Sequence, residues 1–188
     1  MDWDIGLFAG YRGCKRITVL GVSVEVPYFD DVTSQDGWQG HTTRKSIDML
    51  KSEIMVMITR LGGLVTGFQK GTFHIGDRNR DGFQLRYIVE RPNGDVMHGK
   101  MEIAALPVKR DHSLRRSLDS RREQSLKMAL FMLRNALEGT WFLQQLSPGY
   151  SPLMPWMLAK EGKTISQLWS EQTSLYLLPA GATEFVEG

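Results

Sequence analysis

Apolar residues recur at alternating spacings of three and four between positions 43 and 61, and this period predicts an amphipathic helix. The stripe consists of Ile47, Leu50, Ile54, Met57 and Leu61. Thr42 or Thr43 can cap the start of this helix, and Gly62-Gly63 can end it. Because the stripe is apolar, we expect it to pack against another element.

A second helix is predicted to begin between Ser113 and Ser120 and to end near Glu138, before Gly139. Its apolar side is formed by Leu126, Leu130, Leu133 and Leu137. We expect its second half to be mostly buried and its first half, which carries paired arginines, to be solvent-exposed. The chain beyond it is rich in aromatic residues and proline, which predicts irregular packing, with a short helix around 165–169.

Branched and aromatic residues, interrupted by glycine, predict β-strands between the two helices. The predicted strands are Leu64–Gln69, Thr72–Ile75, Phe83–Arg91 and Val96–Leu106. Alternation over 16–27 predicts one further strand at the N-terminus, added to the sheet or swapped onto a neighbouring molecule. Turn-forming residues over 28–40 indicate a boundary near residue 40.

The turn at residues 91–94 selects between two strand registers. A two-residue loop of Asn93-Gly94 would mix apolar and charged side chains on both faces of the hairpin. A type I turn followed by a left-handed Gly94 leaves one face wholly apolar, and this is the register we predict. It pairs Val89 with Met97, Leu85 with Met101 and Phe83 with Ile103, and on the opposite face Arg86 with Lys100 and Gln84 with Glu102.

These elements predict an α+β fold, in which a small antiparallel sheet packs against two helices in the order α-β-β-β-α. Residues 1–40 would form a strand and loop appendage, and residues 41–188 a single domain with an aromatic C-terminal extension. The same element order occurs in double-stranded-RNA-binding domains, where basic residues at the start of the second helix contact phosphates. The stretch between Pro107 and the second helix is longer than in that family, so we treat the likeness as an analogy.

The residue types exclude several kinds of site. The single cysteine, Cys14, permits no internal disulfide and no thiolate-rich zinc site, which fits a reducing cytoplasm. The four histidines show no metal-ligand spacing, so we predict no metal and no cofactor. The longest apolar run, residues 128–133, is far shorter than the roughly 20 residues that cross a bilayer, so we expect no membrane association.

Two short motifs resemble ligand loops but break the required pattern. Residues 77–82 match the first half of a calcium loop, but the position of the bidentate glutamate is Ile88 and two arginines lie inside, so a tight turn is the better interpretation. Gly162-Lys163-Thr164 resembles the end of a P-loop, but the position of its first glycine is Met157. With no catalytic motif, we predict that the protein is not an enzyme.

Charge is unevenly distributed along the chain. Residues 1–40 carry three basic and six acidic residues, residues 41–137 carry 18 and 10, and residues 138–188 carry two and five, which makes the net charges −3, +8 and −3. A basic middle segment attracts phosphate. The candidate phosphate-binding residues are Arg115, Arg116, Arg121, Arg122 and Lys127 at the start of the second helix, with Arg86 and Lys100 on the sheet.

The C-terminal third resembles a group of short, uncharacterised proteins encoded by phages, prophages and metagenomic contigs. The shared features are a Leu/Ala-rich helix ending Glu-Gly (130–139), an apolar stretch (154–159), Gly162-Lys163-Thr164 and a terminal Leu-Leu-Pro (177–179). The resemblance covers about residues 41–181 and departs from the pattern in the proline-rich stretch 147–155. It implies an origin in a mobile element and no catalytic activity.

The leading hypothesis is therefore a small nucleic-acid-binding protein, acting on DNA or RNA, which could be an accessory subunit of a larger complex. The alternative is a protein-interaction or assembly module, in which the basic middle binds an acidic partner or a neighbouring subunit of a homo-oligomer. A further alternative for the basic cluster is a solvated helix face, with ordinary pairs to Asp119 and Glu123.

Overall fold

An antiparallel three-stranded sheet with helices on one face forms the centre of the structure, which is a computed structural model. The structure describes residues 15–19, 22–75, 78–91, 93–110, 116–147, 151–159 and 162–171. In chain order the elements are β1 (Lys15–Val19), β2 (Val22–Val26), α1 (Ile47–Arg60), β3 (Gly63–Ile75), β4 (Arg78–Glu90), β5 (Val96–Ala104), α2 (Leu118–Leu146) and α3 (Ile165–Glu171). The predicted α+β fold is confirmed.

Helix α1 packs its predicted apolar stripe into the core. Leu50, Ile54, Met57 and Leu61 are buried, and Ile47 packs against them. The helix starts later than predicted, because the hydroxyl of Ser46, and not of Thr42 or Thr43, accepts the N–H of Met49 at 3.1 Å. Gly62 follows its last turn with φ +86°, as a C-terminal glycine does.

The sheet has the strand order β3-β4-β5, and the register predicted for the β4–β5 hairpin is confirmed. Phe83 lies opposite Ile103, Leu85 opposite Met101 and Val89 opposite Met97. Gly94 has φ +83° and donates its N–H to the carbonyl of Arg91 at 2.9 Å, as expected of a type I turn followed by a bulge.

Strand β3 is one strand of 13 residues and not two, so the predicted break before Thr72 is wrong. Gly71 continues the pairing opposite Gly82, and the irregularity is a bulge between Val65 and Gly67. Strand β4 begins at Arg78, which places most of the calcium-like segment in a β-ladder. Strand pairing is favoured over an isolated turn because it provides hydrogen-bond partners for the backbone N–H and C=O groups of this segment.

Helix α2 continues through Gly139 to Leu146, so the predicted end near Glu138 is wrong. Leu137 is buried and Trp141 packs against the core, which outweighs the cost of about 1 kcal/mol for a glycine inside a helix. Trp141 therefore belongs to a regular helix and not to the irregular region predicted there.

The N-terminal region forms two strands where one was predicted. Strands β1 and β2 pair with each other in an antiparallel hairpin, and within the described residues neither pairs with the three-stranded sheet. An alternating pattern is the same for one strand as for two that follow each other closely, so periodicity alone could not separate these cases. The domain boundary near residue 40 stays a prediction.

The segment after α2 closes one end of the sheet. Tyr87 donates its hydroxyl to the carbonyl of Leu153 at 3.0 Å, and Met157 is buried beside Gly99 of β5. The predicted short helix is α3, and Thr164 caps it: its hydroxyl accepts the N–H of Gln167, whose side chain accepts the N–H of Thr164. In the part of the chain that the structure describes, no helix could span a membrane.

Candidate phosphate-binding site

A concave pocket of about 740 Å³ lies between β4, the segment 105–110 and the start of α2. Its basic residues come from all three elements: Arg80, Lys109, Arg110 and Arg122. Among the described lining residues Asp81 is the only acidic one, Tyr28 and Asn79 contribute polar groups, and residues 105–108 form an apolar wall. The formal charge of the lining is therefore positive, which favours anions.

The pocket forms because β4 extends further than β5. The last ladder pair is Gly82 with Ala104, and one more backbone hydrogen bond joins the N–H of Ala105 to the carbonyl of Asp81 at 2.8 Å. After that bond the chain turns toward α2, and the first residues of β4 have no β5 residue beside them. The space between the extended strand and the departing chain is the pocket.

Hydrogen bonds from residue 29 and from α2 hold the segment 105–110 in place. The N–H of Phe29 binds the carbonyl of Pro107 at 2.8 Å, and the hydroxyl of Ser125 in α2 binds the carbonyl of Leu106 at 2.9 Å. Phe29 and Leu106 also share a small buried cluster with Val32 and Met128. The wall of the pocket is thus held in place before any ligand arrives.

Arg121 lies beneath this wall, where the sequence predicted an exposed arginine. Its side chain is only 6% exposed and its Nη1 lies 3.0 Å from Oδ1 of Asp30. Arg121 also donates to the carbonyls of Lys109 and Arg116, at 3.0 and 3.2 Å. The expectation of a solvent-exposed helix start is wrong at this position, because the guanidinium joins α2 to the pocket segment and to residue 30.

Lys109 is held by the acidic N-terminal segment. Its backbone N–H binds Oδ2 of Asp30 at 2.8 Å, and its ammonium group pairs with the carboxylate of Asp31. The hydrogen bond that this ammonium donates to Asp31 raises the pKa of Lys109, so the ammonium stays charged at neutral pH. Lys109 is therefore a cation of fixed position whose charge is partly neutralised.

Arg80 is a half-buried basic residue of the pocket lining. Its Nε binds the carbonyl of Ala105 at 2.8 Å and its Nη2 that of Ala104 at 3.2 Å. Burial lowers its pKa, and among the described residues no carboxylate pairs with it. A guanidinium that is partly desolvated without a counter-charge is stabilised by a bound anion.

The remaining cations of this region are exposed. Arg122 is 48% exposed and lies 3.9 Å from Asp119, a weak contact. Arg110 lines the pocket and Arg116 lies just before α2; both are exposed, and within the described residues neither forms an ion pair. Arg115, also predicted as a site residue, lies outside the described residues.

The other predicted site residues do not reach the pocket lining. Lys127 pairs with Glu123 at 2.6 Å within α2, which lowers the pKa of Glu123, and its side chain is 19% exposed. Arg86 and Lys100 are neighbours across β4 and β5, as predicted, on the sheet face opposite the apolar core residues. Arg86 donates to the side chain of Gln84, and Lys100 lies 3.3 Å from Glu102.

The structure therefore divides the predicted residues into a pocket group, represented by Arg122, and a sheet group of Arg86 and Lys100. Sequence reasoning missed Arg80 because its segment was interpreted as a turn. Hydrophobic alternation could not have found it, because residues 78–82 of β4 are all polar or glycine.

The chain matches no protein-family model, no curated protein and no solved structure at a significant level. The pocket and the charges around it are therefore the features that bear on function.

Proposed function

We propose that this protein is a non-enzymatic nucleic-acid-binding protein that contacts phosphates. The observation that carries the proposal is the convergence of Arg80, Lys109, Arg110 and Arg122 on one pocket, whose described lining contains a single acidic residue. Phosphate contacts from arginine and lysine supply most of the sequence-independent affinity for nucleic acids. The resemblance to phage-encoded proteins supports a role in a mobile element, as an accessory subunit of a larger complex.

The surroundings of the pocket support the same function. Arg110, Arg116 and Arg122 are exposed and available to a strand that passes the pocket. The wall between them is anchored by Asp30 and Ser125, so the cations need little reorganisation to bind. Arg86 and Lys100 provide a second basic area on the sheet.

The test is a titration of labelled single- and double-stranded DNA and RNA at two salt concentrations, followed by fluorescence anisotropy. The variant is Arg110→Gln/Arg122→Gln, and the matched control is Arg44→Gln/Arg91→Gln, which removes two exposed arginines that do not line the pocket. Arg121 is unsuitable, because its loss would break a buried ion pair.

We expect affinity to fall steeply with salt. The slope of log K against log salt should be shallower in the pocket variant, by about 0.7 to 0.9 for each phosphate that this variant no longer binds. The control variant should retain most of the wild-type slope. No binding at low salt, or an equal decrease of affinity in the two variants, would contradict the proposal.

A second candidate function, protein assembly, is favoured by exposed apolar residues at the end of α2. Phe142, Leu143 and Leu146 are 54%, 53% and 79% exposed, and such a cluster is typical of a contact surface. Light scattering tests it: a stable oligomer that Leu143→Ser/Leu146→Ser disrupts would support assembly, and a monomer at all concentrations would contradict self-association.

A further inference from the structure

The pocket combines two kinds of surface within a small volume. Its volume of about 740 Å³ falls within the roughly 300–1,000 Å³ that small-molecule sites occupy. One part is cationic, and the other is the apolar wall of residues 105–108 with the ring of Tyr28 beside it. An inorganic anion would use only the cationic part.

A pocket of about 740 Å³ suits one nucleotide unit better than a continuous double helix. A duplex presents its phosphates on a convex surface, whereas a pocket receives one unit that has left the stack or stands at a strand end. Bases that are unstacked in this way are held by apolar or aromatic side chains, and their phosphates by nearby cations.

Arg80 gives an independent indication of an anionic ligand. Its guanidinium is held by two backbone carbonyls, which bind Nε and Nη2 and leave Nη1 without a protein partner in the described part of the chain. Carbonyl dipoles only partly replace a counter-charge. A phosphate oxygen near this group would supply the missing charge.

We propose that the pocket binds one nucleotide, with its phosphate against Arg80, Arg110 and Arg122 and its sugar or base against Pro107 and Val108. The nucleotide is either free or an unstacked unit of a single strand. The inference rests on the proposed function and specifies the ligand of the same pocket. Asp81 at the border favours a hydroxyl or amino group nearby over a second phosphate.

The test is isothermal titration calorimetry of the whole protein with AMP, UMP, adenosine and inorganic phosphate. We expect both nucleotides to bind at least tenfold more tightly than adenosine or phosphate, because each of these can occupy only one of the two parts of the pocket. Arg122→Gln and Arg80→Gln should each weaken nucleotide binding by about tenfold or more, as removal of a charge-assisted hydrogen bond does. Arg44→Gln, which removes an exposed arginine that does not line the pocket, is the control and should leave nucleotide binding unchanged.

Two further measurements keep the result interpretable. Thermal melting reports whether Arg80→Gln is folded, and Arg80→Lys, which keeps the charge, should recover part of the binding. Competition of AMP with a labelled single strand separates the sources: displacement indicates that a nucleotide unit of the strand occupies the pocket, and tight AMP binding without strand binding indicates a free nucleotide.

The inference is overturned if neither nucleotide binds while single strands still do, and the proposed nucleic-acid binding then stands without it. Equal binding of AMP and inorganic phosphate would also overturn it, since the apolar wall would contribute nothing. If neither strands nor nucleotides bind, both proposals fail.

Discussion

Arg121 and Arg122 are adjacent in the chain, yet their side chains lie in opposite environments. Arg121 is one turn of α2 before Ser125 and two turns before Met128, both buried, so it faces the protein interior. Arg122 points toward the pocket and solvent. The first arginine stabilises the structure around the site, and the second is available to a ligand.

The ion pair between Asp30 and Arg121 is predicted to be essential for stability. Both side chains are below 10% exposed, so Asp30→Asn removes a carboxylate that pairs with a buried guanidinium. We expect a loss of about 3–5 kcal/mol in the free energy of unfolding, measured by urea denaturation. Asp119→Asn is the control, since Asp119 is 94% exposed and should change stability by no more than about 0.5 kcal/mol. Equal effects of the two substitutions would refute the structural role of Asp30.

Tyr87 is predicted to make stability depend on alkaline pH. Burial raises the pKa of Tyr87 well above its ordinary value of 10.0, so the phenol stays neutral in the folded chain and ionises in the unfolded chain. The contribution of the neutral phenol to the free energy of unfolding is complete below pH 10. It is lost as pH rises toward the folded pKa, by up to about 1.4 kcal/mol per pH unit.

Urea denaturation between pH 8 and pH 11.5 measures this dependence. Tyr87→Phe should remove that part of the loss of stability at alkaline pH. At pH 8 it should lower the free energy of unfolding by about 1–2 kcal/mol, because the carbonyl of Leu153 loses its hydrogen-bond donor. A Tyr87→Phe variant with the wild-type slope would show that other groups cause the alkaline loss.

At the scale of elements, the interiors of helices and strands followed from their periodicity, whereas several ends did not. Glycine illustrates the difficulty. Gly62 ends α1 with positive φ, but Gly139 lies inside α2, because Trp141 beyond it packs against the core. Local sequence cannot show whether the residues after a glycine will find a surface to pack against.

Gly139→Ala is predicted to stabilise the protein. Nothing lies within 4 Å of an added methyl group at this helical position, and alanine is favoured over glycine there by about 1 kcal/mol. Gly62→Ala is the matched control, for which we expect the opposite effect. Space is also open there, but φ is +86°, so the free energy of unfolding should fall by about 1 kcal/mol. Thermal or urea denaturation of both variants checks the pair. A destabilised Gly139→Ala variant would indicate that α2 ends near that glycine.

At the scale of the whole molecule, the acidic N-terminal segment folds onto part of the basic middle. Asp30 and Asp31 pair with Arg121 and Lys109, so some of the positive charge stabilises the fold. Among the exposed cations, Arg110 and Arg122 line the pocket, whereas others such as Arg44, Arg86 and Arg91 lie elsewhere on the surface. Some of the basic residues therefore stabilise the fold through ion pairs, and others remain available at the surface.

Asp31→Asn is predicted to strengthen nucleic-acid binding, because it releases the ammonium of Lys109 beside the pocket. Removing one nearby negative charge at a partly exposed position should make the binding free energy more favourable by about 1 kcal/mol, which is a roughly fivefold gain in affinity at low salt. Anisotropy titrations measure it, with Asp48→Asn in the first turn of α1 as the control. An unchanged or weaker affinity for Asp31→Asn would mean that Lys109 does not contact the ligand.

The α+β fold, the stripe of α1 and the register of β4 with β5 were all predictable from the sequence. Each depends on local rules: a helical period, a turn with glycine at positive φ, and the requirement that one sheet face be apolar. The neighbouring positions of Arg86 and Lys100 followed from that register.

The sequence by itself determined which segments are helical or extended and that the middle of the chain is basic. Only the tertiary structure decided which basic residues form a site, because Arg80 is distant in sequence from Arg110 and Arg122 and meets them where β5 ends before β4. It also decided that Arg121 is buried, since this depends on Asp30, which is 91 residues away along the chain. Periodicity acts over a few residues, whereas burial and charge pairing are set by the whole fold.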